Sequence, residues 1–361
     1  MLVDNFFENT FDFEKEKQEV IDFIQMKKNQ DSSEAVFYDK YHEVQDCIGE
    51  QYKVATLKSK LWNGDDISEL RPRAFQVETK EQLDDWRYLI RFTSSFKNVS
   101  NPGRNLKFLV VDDTSGKYLG ALTVTSDFGD LGARDKWIGW TRDDRYKNKK
   151  LNNVACGQAI IPIQPFGHNF LGGKLMALMI TSDTIRNAWE EKYGDVLVGM
   201  TTTSLYGTFS QYNGLTTFKK RGHTTGQMPL KLPRDVVKRW EEYYGEKSKD
   251  RLGGFTKIYR DCGLKPKDYQ HGIQRGIYFC SFYENTNEFL CGNIEKNSLI
   301  LSQKFVNYDQ YIMDWWKHRA IRRYNKLKSE DRLINKLHFW DKLFGLSYEE
   351  SKEKYIGEIG R

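Results

Sequence analysis

Apolar positions along this chain follow two rhythms, one near 3.6 residues and one of two, and the rhythms alternate. Residues 12–30 (FDFEKEKQEVIDFIQMKKN) set Phe13, Val20, Phe23 and Ile24 near helical spacing with acids between them. That predicts an amphipathic helix, either a solvated surface helix or a movable arm that shields a basic groove. Over Thr79–Phe96 a Thr79/Gln82 capping-box spacing precedes Leu83, Trp86, Leu89 and Ile90 on one face, which predicts a second helix. The rhythm then shortens. Leu106–Val111 and Tyr118–Thr125, joined by Asp112-Asp113-Thr114-Ser115-Gly116-Lys117, predict a β-hairpin. Residues 151–163 predict a further strand, ended by Pro162 and Pro165. Leu171, Leu175, Leu178, Met179, Ser182, Ile185 and Trp189 recur at three- and four-residue steps and predict one core-facing helix that ends near Gly194. Strands are expected at Asp195–Thr201, Thr216–Lys220, Ile277–Tyr283 and Glu288–Cys291, with a short turn or helix at Thr208–Asn213. The stretch 229–272 and the C-terminal part read as helical. No internal repeat interrupts the pattern.

Composition narrows the class. With 361 residues, 39% hydrophobic and 29% charged, the chain has ample material for a sizeable core, and seven prolines argue against wholesale disorder. No apolar run approaches the roughly 20 residues of a membrane span, so no membrane partner is expected. Acids in MLVDNFFENTFDFEKE stand where a signal peptide needs lysines. Five cysteines (Cys47, Cys156, Cys262, Cys280, Cys291) form no CxxC, which points to reduced thiols and a cytoplasmic protein. Charge is unevenly spread. Residues 1–50 carry 5 Lys/Arg against 13 Asp/Glu, whereas 51–230 carry 25 against 18 and 231–361 carry 26 against 19. An acidic arm on a basic body is what a phosphate-rich partner would favour, although many proteins without such a partner are mildly basic. The expected domains are an acidic helical arm (1–75), a core (76–228 with 273–292), a helical insert (229–272) and a basic helical region (293–361).

The order strand, strand, strand, loop, long helix, strand, short helix, strand resembles the skeleton of GNAT-type acyltransferases. The resemblance implies an α/β fold with a mixed, mostly antiparallel sheet flanked by helices, here with helical N- and C-terminal additions. It also implies that the loop before the long helix holds a cofactor pyrophosphate on backbone N–H groups. That loop is Phe166-Gly167-His168-Asn169-Phe170-Leu171-Gly172-Gly173-Lys174. Gly167, His168, Asn169, Gly172, Gly173 and Lys174 are therefore the candidate cofactor-binding residues, since glycine admits close backbone approach and lysine an anion. The loop departs from the usual Gln/Arg-x-x-Gly-x-Gly/Ala letters. Acyl-coenzyme A is one candidate donor, and the cofactor is left open. His168 is the candidate base, Tyr206 and Tyr212 stand where such enzymes keep a general acid, and Asp127 could orient an exocyclic amine. His223, between Gly222 and Thr224-Thr225-Gly226, is a further loop histidine. No His/Cys spacing suits a metal, and no metal is expected.

A second likeness is more specific. Asp135-Lys-Trp-Ile-Gly-Trp-Thr-Arg142, then Arg145 and Leu151-Asn152-Asn153-Val154, resembles the Druantia DruA-like family of prokaryotic defence and mobile-element proteins. Gly116–Leu122, Leu205-Tyr206-Gly207-Thr208, Gly222–Gly226 and Arg275-Gly276-Ile277-Tyr278 fit as well. The likeness covers about 75–230 and 273–285. It implies a DNA-directed role in a phage or mobile-element setting, with double-stranded DNA as the expected partner, and the fold order is also similar to phage Mom DNA-modification proteins.

Aromatics stack bases while cations hold backbone phosphates, so Trp137, Trp140, Arg142, Arg145, Lys149 and Lys150 are candidate nucleic-acid contacts. The run Trp315–Lys328 has six Lys/Arg and no acid, which adds Arg319, Arg322 and Arg323. Three functions compete on these residues: transfer of an acyl or aminoacyl group to a DNA base, a non-catalytic DNA-binding component, and a small-molecule N-acyltransferase. The oligomeric state is left open.

Overall fold

The structure, a computed structural model, describes residues 11–98, 103–204, 210–226, 230–245, 255–270 and 274–359. Among the described residues seven strands form one sheet: β1 (Pro72–Gln76), β2 (Asn105–Asp112), β3 (Tyr118–Ser126), β4 (Val154–Pro162), β5 (Gly199–Ser204), β6 (Lys219–His223) and β7 (Gly276–Ser281). Helices before the insert are α1 (Phe13–Asn29), α2 (Ser32–Gln45), α3 (Gln51–Ser59), α4 (Lys80–Thr93), α5 (Gly132–Ile138), α6 (Arg142–Tyr146), α7 (Phe166–Asn169), α8 (Gly172–Met179) and α9 (Asp183–Tyr193). Then follow α10 (Arg234–Tyr244), α11 (Phe255–Asp261), α12 (Pro266–Tyr269), α13 (Thr286–Leu290), α14 (Tyr308–Ser329) and α15 (Tyr348–Tyr355).

Two compact units share the chain: one from the segment up to Ala35 together with Thr225–Gln274, the other from Val36–Thr224 and the chain from Arg275 on. In the smaller unit, Val20 and Ile24 of α1 pack with Val236, Trp240, Ile258 and Tyr259 of the insert. Arg239 reaches Glu16 at 2.9 Å and Glu19 at 2.6 Å, so two of the arm's acids are already matched by a cation of the same unit.

The larger unit carries the sheet, in the order β1-β2-β3-β4-β5-β7-β6. Every pairing is antiparallel except β4 with β5, which run parallel over Val154–Cys156 and Gly199–Thr201. This is a mixed, mostly antiparallel sheet with flanking helices, the architecture that the resemblance implies. The hairpin falls where Leu106–Val111 and Tyr118–Thr125 place it. Helix α4 starts at Thr79, whose hydroxyl accepts from the Gln82 N–H while the Gln82 side chain accepts from the Thr79 N–H. Thr79→Ala should cost about 1 kcal/mol in urea unfolding, and Thr79→Ser should restore most of it.

Three expectations change. The helix expected from Leu171 to Gly194 is two helices, because Thr181 and Ser182 interrupt it: the Thr181 hydroxyl donates to Leu178 O and shares a bond with Tyr308, and Ser182 is the N-cap of α9. Gly194 still ends it, in left-handed conformation at φ 75°. The strand expected at Glu288–Cys291 is helix α13, held at its start by the Thr286 hydroxyl donating to Tyr283 O; a short apolar run fits either element. The strands at Asp195–Thr201 and Thr216–Lys220 begin later, at Gly199 and Lys219, since Val196–Val198 and Phe218 are spent on cores. The edge strand β1 is an addition to the sequence reading.

Candidate functional site

The glycine loop is packed by the chain itself. A Cβ on Gly172 would lie 2.6 Å from the Phe166 ring, one on Gly173 2.8 Å from Gln211 Oε1, and one on Gly167 2.8 Å from Pro162 and Gln164. The N–H groups of Gly167, Asn169 and Phe170 donate to Ile163, Pro165 and Phe166 carbonyls, and that of His168 to Gln164 Oε1. Lys174, its ammonium pushed down by burial, donates to Gln211 O at 3.3 Å and to Asn213 O. Asn169 exchanges two hydrogen bonds with the backbone of Ile334. The chain itself thus takes up the N–H groups of Gly167, His168, Asn169 and Phe170 and the Lys174 ammonium, so a pyrophosphate here would meet fewer free donors than the resemblance implies.

His168 is half-buried, and its carbonyl accepts from Arg323 Nε at 2.6 Å. Burial, then Arg323 and Arg332, push its imidazole below the usual range. The structure thus joins one candidate base to one candidate phosphate contact.

The other catalytic candidates are kept apart. Strands β4 and β5 pair over three residues and then diverge, and polar side chains fill the wedge. Thr202 donates to Gly157 O, Gln211 Nε2 donates to Ile160 O at 3.0 Å, and the Tyr212 hydroxyl sits 3.2 Å from both Thr202 Oγ1 and Gln211 Nε2. Burial raises the Tyr212 phenol. Asp127 instead accepts from the Thr201 hydroxyl at 2.6 Å. Thr201 and Thr202 are neighbours on one strand, so their side chains leave opposite faces of the sheet, and Asp127 and Tyr212 lie across it from each other. Tyr206 lies outside the described residues.

Asp127 belongs to a buried ionic network built by the Trp-Gly-Trp stretch. Arg134 is wholly buried between Asp127 at 2.7 Å and Asp135 at 2.6 Å. Arg145 reaches Asp130 at 2.8 Å and Asp135 at 3.5 Å. Trp140 is 5% exposed, donates from Nε1 to Asp135 at 3.0 Å, and lies under both Arg134 and Arg145. Asn153 donates to Val196 O at 2.9 Å and accepts at its carbonyl from Val198 N–H, stitching β4 to the start of β5. Trp140 and Arg145, expected to face nucleic acid, are therefore parts of this internal frame. Arg142 and Lys149 are exposed, and Lys150 stands 3.7 Å from the Phe289 ring centre.

Trp137 is half-buried against Phe279 and carries the Arg221 guanidinium 3.5 Å above its ring. Arg221 was not among the expected contacts; the Lys219-Lys220-Arg221-Gly222-His223 run was the signal. Gly222, at φ +144°, allows this approach, since a Cβ there would meet Ala133 at 2.8 Å.

Helix α14 buries Ile312, Trp316, Ala320 and Leu327 and leaves Arg322, Lys326 and Lys328 exposed. Arg319 stacks on Trp315 at 4.3 Å and donates to its carbonyl. Among the described residues no group of three His, Cys, Asp or Glu side chains is placed to hold a metal, and no helix is long and apolar enough to cross a membrane.

A mixed sheet whose Trp-Gly-Trp stretch and Asn pair frame the β4–β5 junction defines the class. The family model for Druantia protein DruA matches residues 14–292, and the chain belongs to the DruA family. It is similar to Druantia protein DruA of Escherichia coli (strain UMEA 4076-1), 26% identical over 297 residues that span 73% of this chain and 72% of that protein. The family match reaches further than the sequence likeness, taking in α1 and the insert. No solved structure matches.

Proposed function

We propose that this DruA-family protein serves a Druantia defence system against phage or mobile elements as a component that binds double-stranded DNA. The observation that carries the reading is α14. Its apolar stripe is spent on the core, and from Trp315 to Lys328 its outer side carries only basic charge. Phosphate contacts supply most of sequence-independent DNA affinity and release counterions, so binding should weaken steeply with salt. In fluorescence anisotropy with a 30-base-pair duplex, the Arg319→Glu/Arg322→Glu variant should bind at least about 100-fold more weakly at 100 mM salt and show a flatter salt slope. Salt-independent or absent binding by the parent protein would remove this reading.

Transfer of an acyl or aminoacyl group to a DNA base is the second reading. The Tyr212–Thr202 hydroxyl pair at the point where β4 and β5 part favours it. It stands second because the N–H groups of Gly167, His168, Asn169 and Phe170 are already bonded within the chain, which leaves a nucleotide-bearing donor fewer of them. A new nucleoside mass in DNA from expressing cells, lost in Tyr212→Phe, would raise it to first.

A further inference from the structure

Between the end of β1 and the start of α4 the surface opens into a cavity of about 280 Å³. The chain leaves β1 at Gln76 and turns into α4, and the Val77 N–H, donating to Lys107 O at 2.9 Å, holds that turn against β2. Asn105 and Lys107 are two residues apart on β2 and so share a face. The Lys107 ammonium stands 5.1 Å from the Trp86 ring centre, on the side where α4 packs. From α9, the Tyr193 hydroxyl accepts from the Asn105 N–H at 2.7 Å and donates to its carbonyl at 3.0 Å, which fixes the start of β2.

Three ammonium groups line this one cavity, those of Lys80, Lys107 and Lys192, against one carboxylate, Glu78. Two of the three converge on a single residue. Lys107 Nζ donates to Asn105 Oδ1 at 3.1 Å, and Lys192 Nζ donates to Asn105 O at 3.3 Å. Both acceptors are neutral, so neither bond cancels a charge. The acids of α4 are engaged elsewhere: Glu81 and Asp85 meet Lys60, and Asp84 meets Arg87. Lys107 is half-buried, and burial, then Lys192 and Arg87, push its ammonium below the ordinary lysine value. A lysine kept for solubility points its charge into water, whereas this one is held in a wall beside a second lysine. Three lysines less one glutamate leave the lining at a net +2.

We propose that this cavity is a phosphomonoester site, in which Lys107 and Lys192 hold a terminal phosphate, Lys80 adds the third positive charge, and Asn105 positions the first two. A phosphomonoester carries close to two negative charges at neutral pH, which the lining matches; a phosphodiester carries one. Lysine binds phosphate as a point charge, without the planar match an arginine fork requires. Leu83 gives the wall an apolar part for the carbon skeleton behind the phosphate. Two sources carry this chemistry, a free phosphorylated small molecule and the 5′-phosphate that ends a nucleic-acid strand. The proposal stands apart from the duplex-binding reading, whose cations lie on α14.

The test is calorimetric titration of the full-length protein with methyl phosphate and with dimethyl phosphate. Methyl phosphate should saturate at or below about 1 mM, and dimethyl phosphate should bind at least about 10-fold more weakly. Lys107→Gln and Lys192→Gln should each weaken methyl phosphate about 10-fold, the size of one charge-assisted hydrogen bond. Lys192 is exposed, so its variant should keep the parent's thermal midpoint and serves if Lys107→Gln folds poorly. Lowering the pH from 7.5 to 5 protonates the monoester, whose second pKa is about 6, and affinity should fall about 10-fold. Anisotropy with a duplex bearing either a 5′-phosphate or a 5′-hydroxyl separates the sources. Tighter binding of the phosphorylated end, abolished in both Gln variants, assigns the site to a strand end. Equal binding of the two duplexes, with methyl phosphate still saturating, assigns it to a free compound. The proposal is overturned if neither methyl phosphate nor the phosphorylated end is preferred, if the diester binds as well as the monoester, or if both Gln variants match the parent. None of these outcomes touches the α14 reading.

Discussion

Arg134→Met should destabilise the protein by about 3–5 kcal/mol at neutral pH, the range expected when one partner of a buried ion pair is removed. Arg134 has no exposed surface and makes four contacts: Asp127 at 2.7 Å, Asp135 from Nε and Nη2, and Phe128 O at 2.9 Å. Asp135 would keep Trp140 Nε1 and Arg145. Among the described residues Asp127 would keep only the Thr201 hydroxyl and the Phe128 N–H, neither of which supplies charge. The pH dependence follows from the direction of the Asp127 shift. Burial raises this carboxyl above 3.8, against the pull of Arg134 and Thr201, and without Arg134 it rises further. Between the unfolded and folded values the native state then holds a proton that the unfolded chain has released. Stability of the variant therefore falls as pH rises through that window and recovers as pH falls. Urea unfolding at pH 5 and pH 8 checks this: the loss relative to the parent should be smaller at pH 5. A further Asp127→Asn change should recover part of it at pH 8. A loss no larger than that of Thr79→Ala, and flat in pH, would refute the account.

Trp316→Ala should cost a similar amount, about 3–5 kcal/mol, for a different reason. Trp316 is fully buried, packs on Phe166 at 5.9 Å and donates from Nε1 to Phe170 O at 2.8 Å. It is the central peg of α14 on α7 and α8, beside the Phe170–Tyr324 stack at 4.6 Å. Truncation leaves a cavity and an unpaired buried carbonyl. Trp316→Phe keeps most of the area and loses the hydrogen bond, so it should cost about 1–3 kcal/mol. Hydrogen exchange adds location: amides of α14 should lose protection in Trp316→Ala while those of α4 keep theirs. Loss spread evenly over both helices would show that Trp316 does not act as a local peg.

The elements readable in the sequence are those whose signals are local. The Thr79/Gln82 box, the Asp/Gly turn after Val111 and the αL glycine at 194 each depend on a few neighbouring residues, and each forms as expected. The break at Thr181–Ser182 was hidden because its deciding partner, Tyr308, is 127 residues away. Glu288–Cys291 reads as a strand because four residues carry too few repeats to separate a strand from a helix.

The candidate site shows the same division. The Trp-Gly-Trp stretch with its Asn pair marked the family, and its letters answer to an internal frame in which Trp140, Arg145 and Asn153 are held by Asp135, Asp130 and Val196. Glycines at 167, 172 and 173 announced close approach, but composition does not say what approaches; Phe166, Gln164 and Gln211 do.

What this sequence settles unaided is the type of most elements, the β2–β3 hairpin, and a basic body joined to an acidic first segment. Those depend on periodicity, turn chemistry and charge, which are additive along the chain. Only the tertiary structure decides which cations are neutralised. Arg134 and Arg145 disappear into carboxylates, while Arg221 is laid on the Trp137 ring, because such pairing depends on distances between segments far apart in the chain.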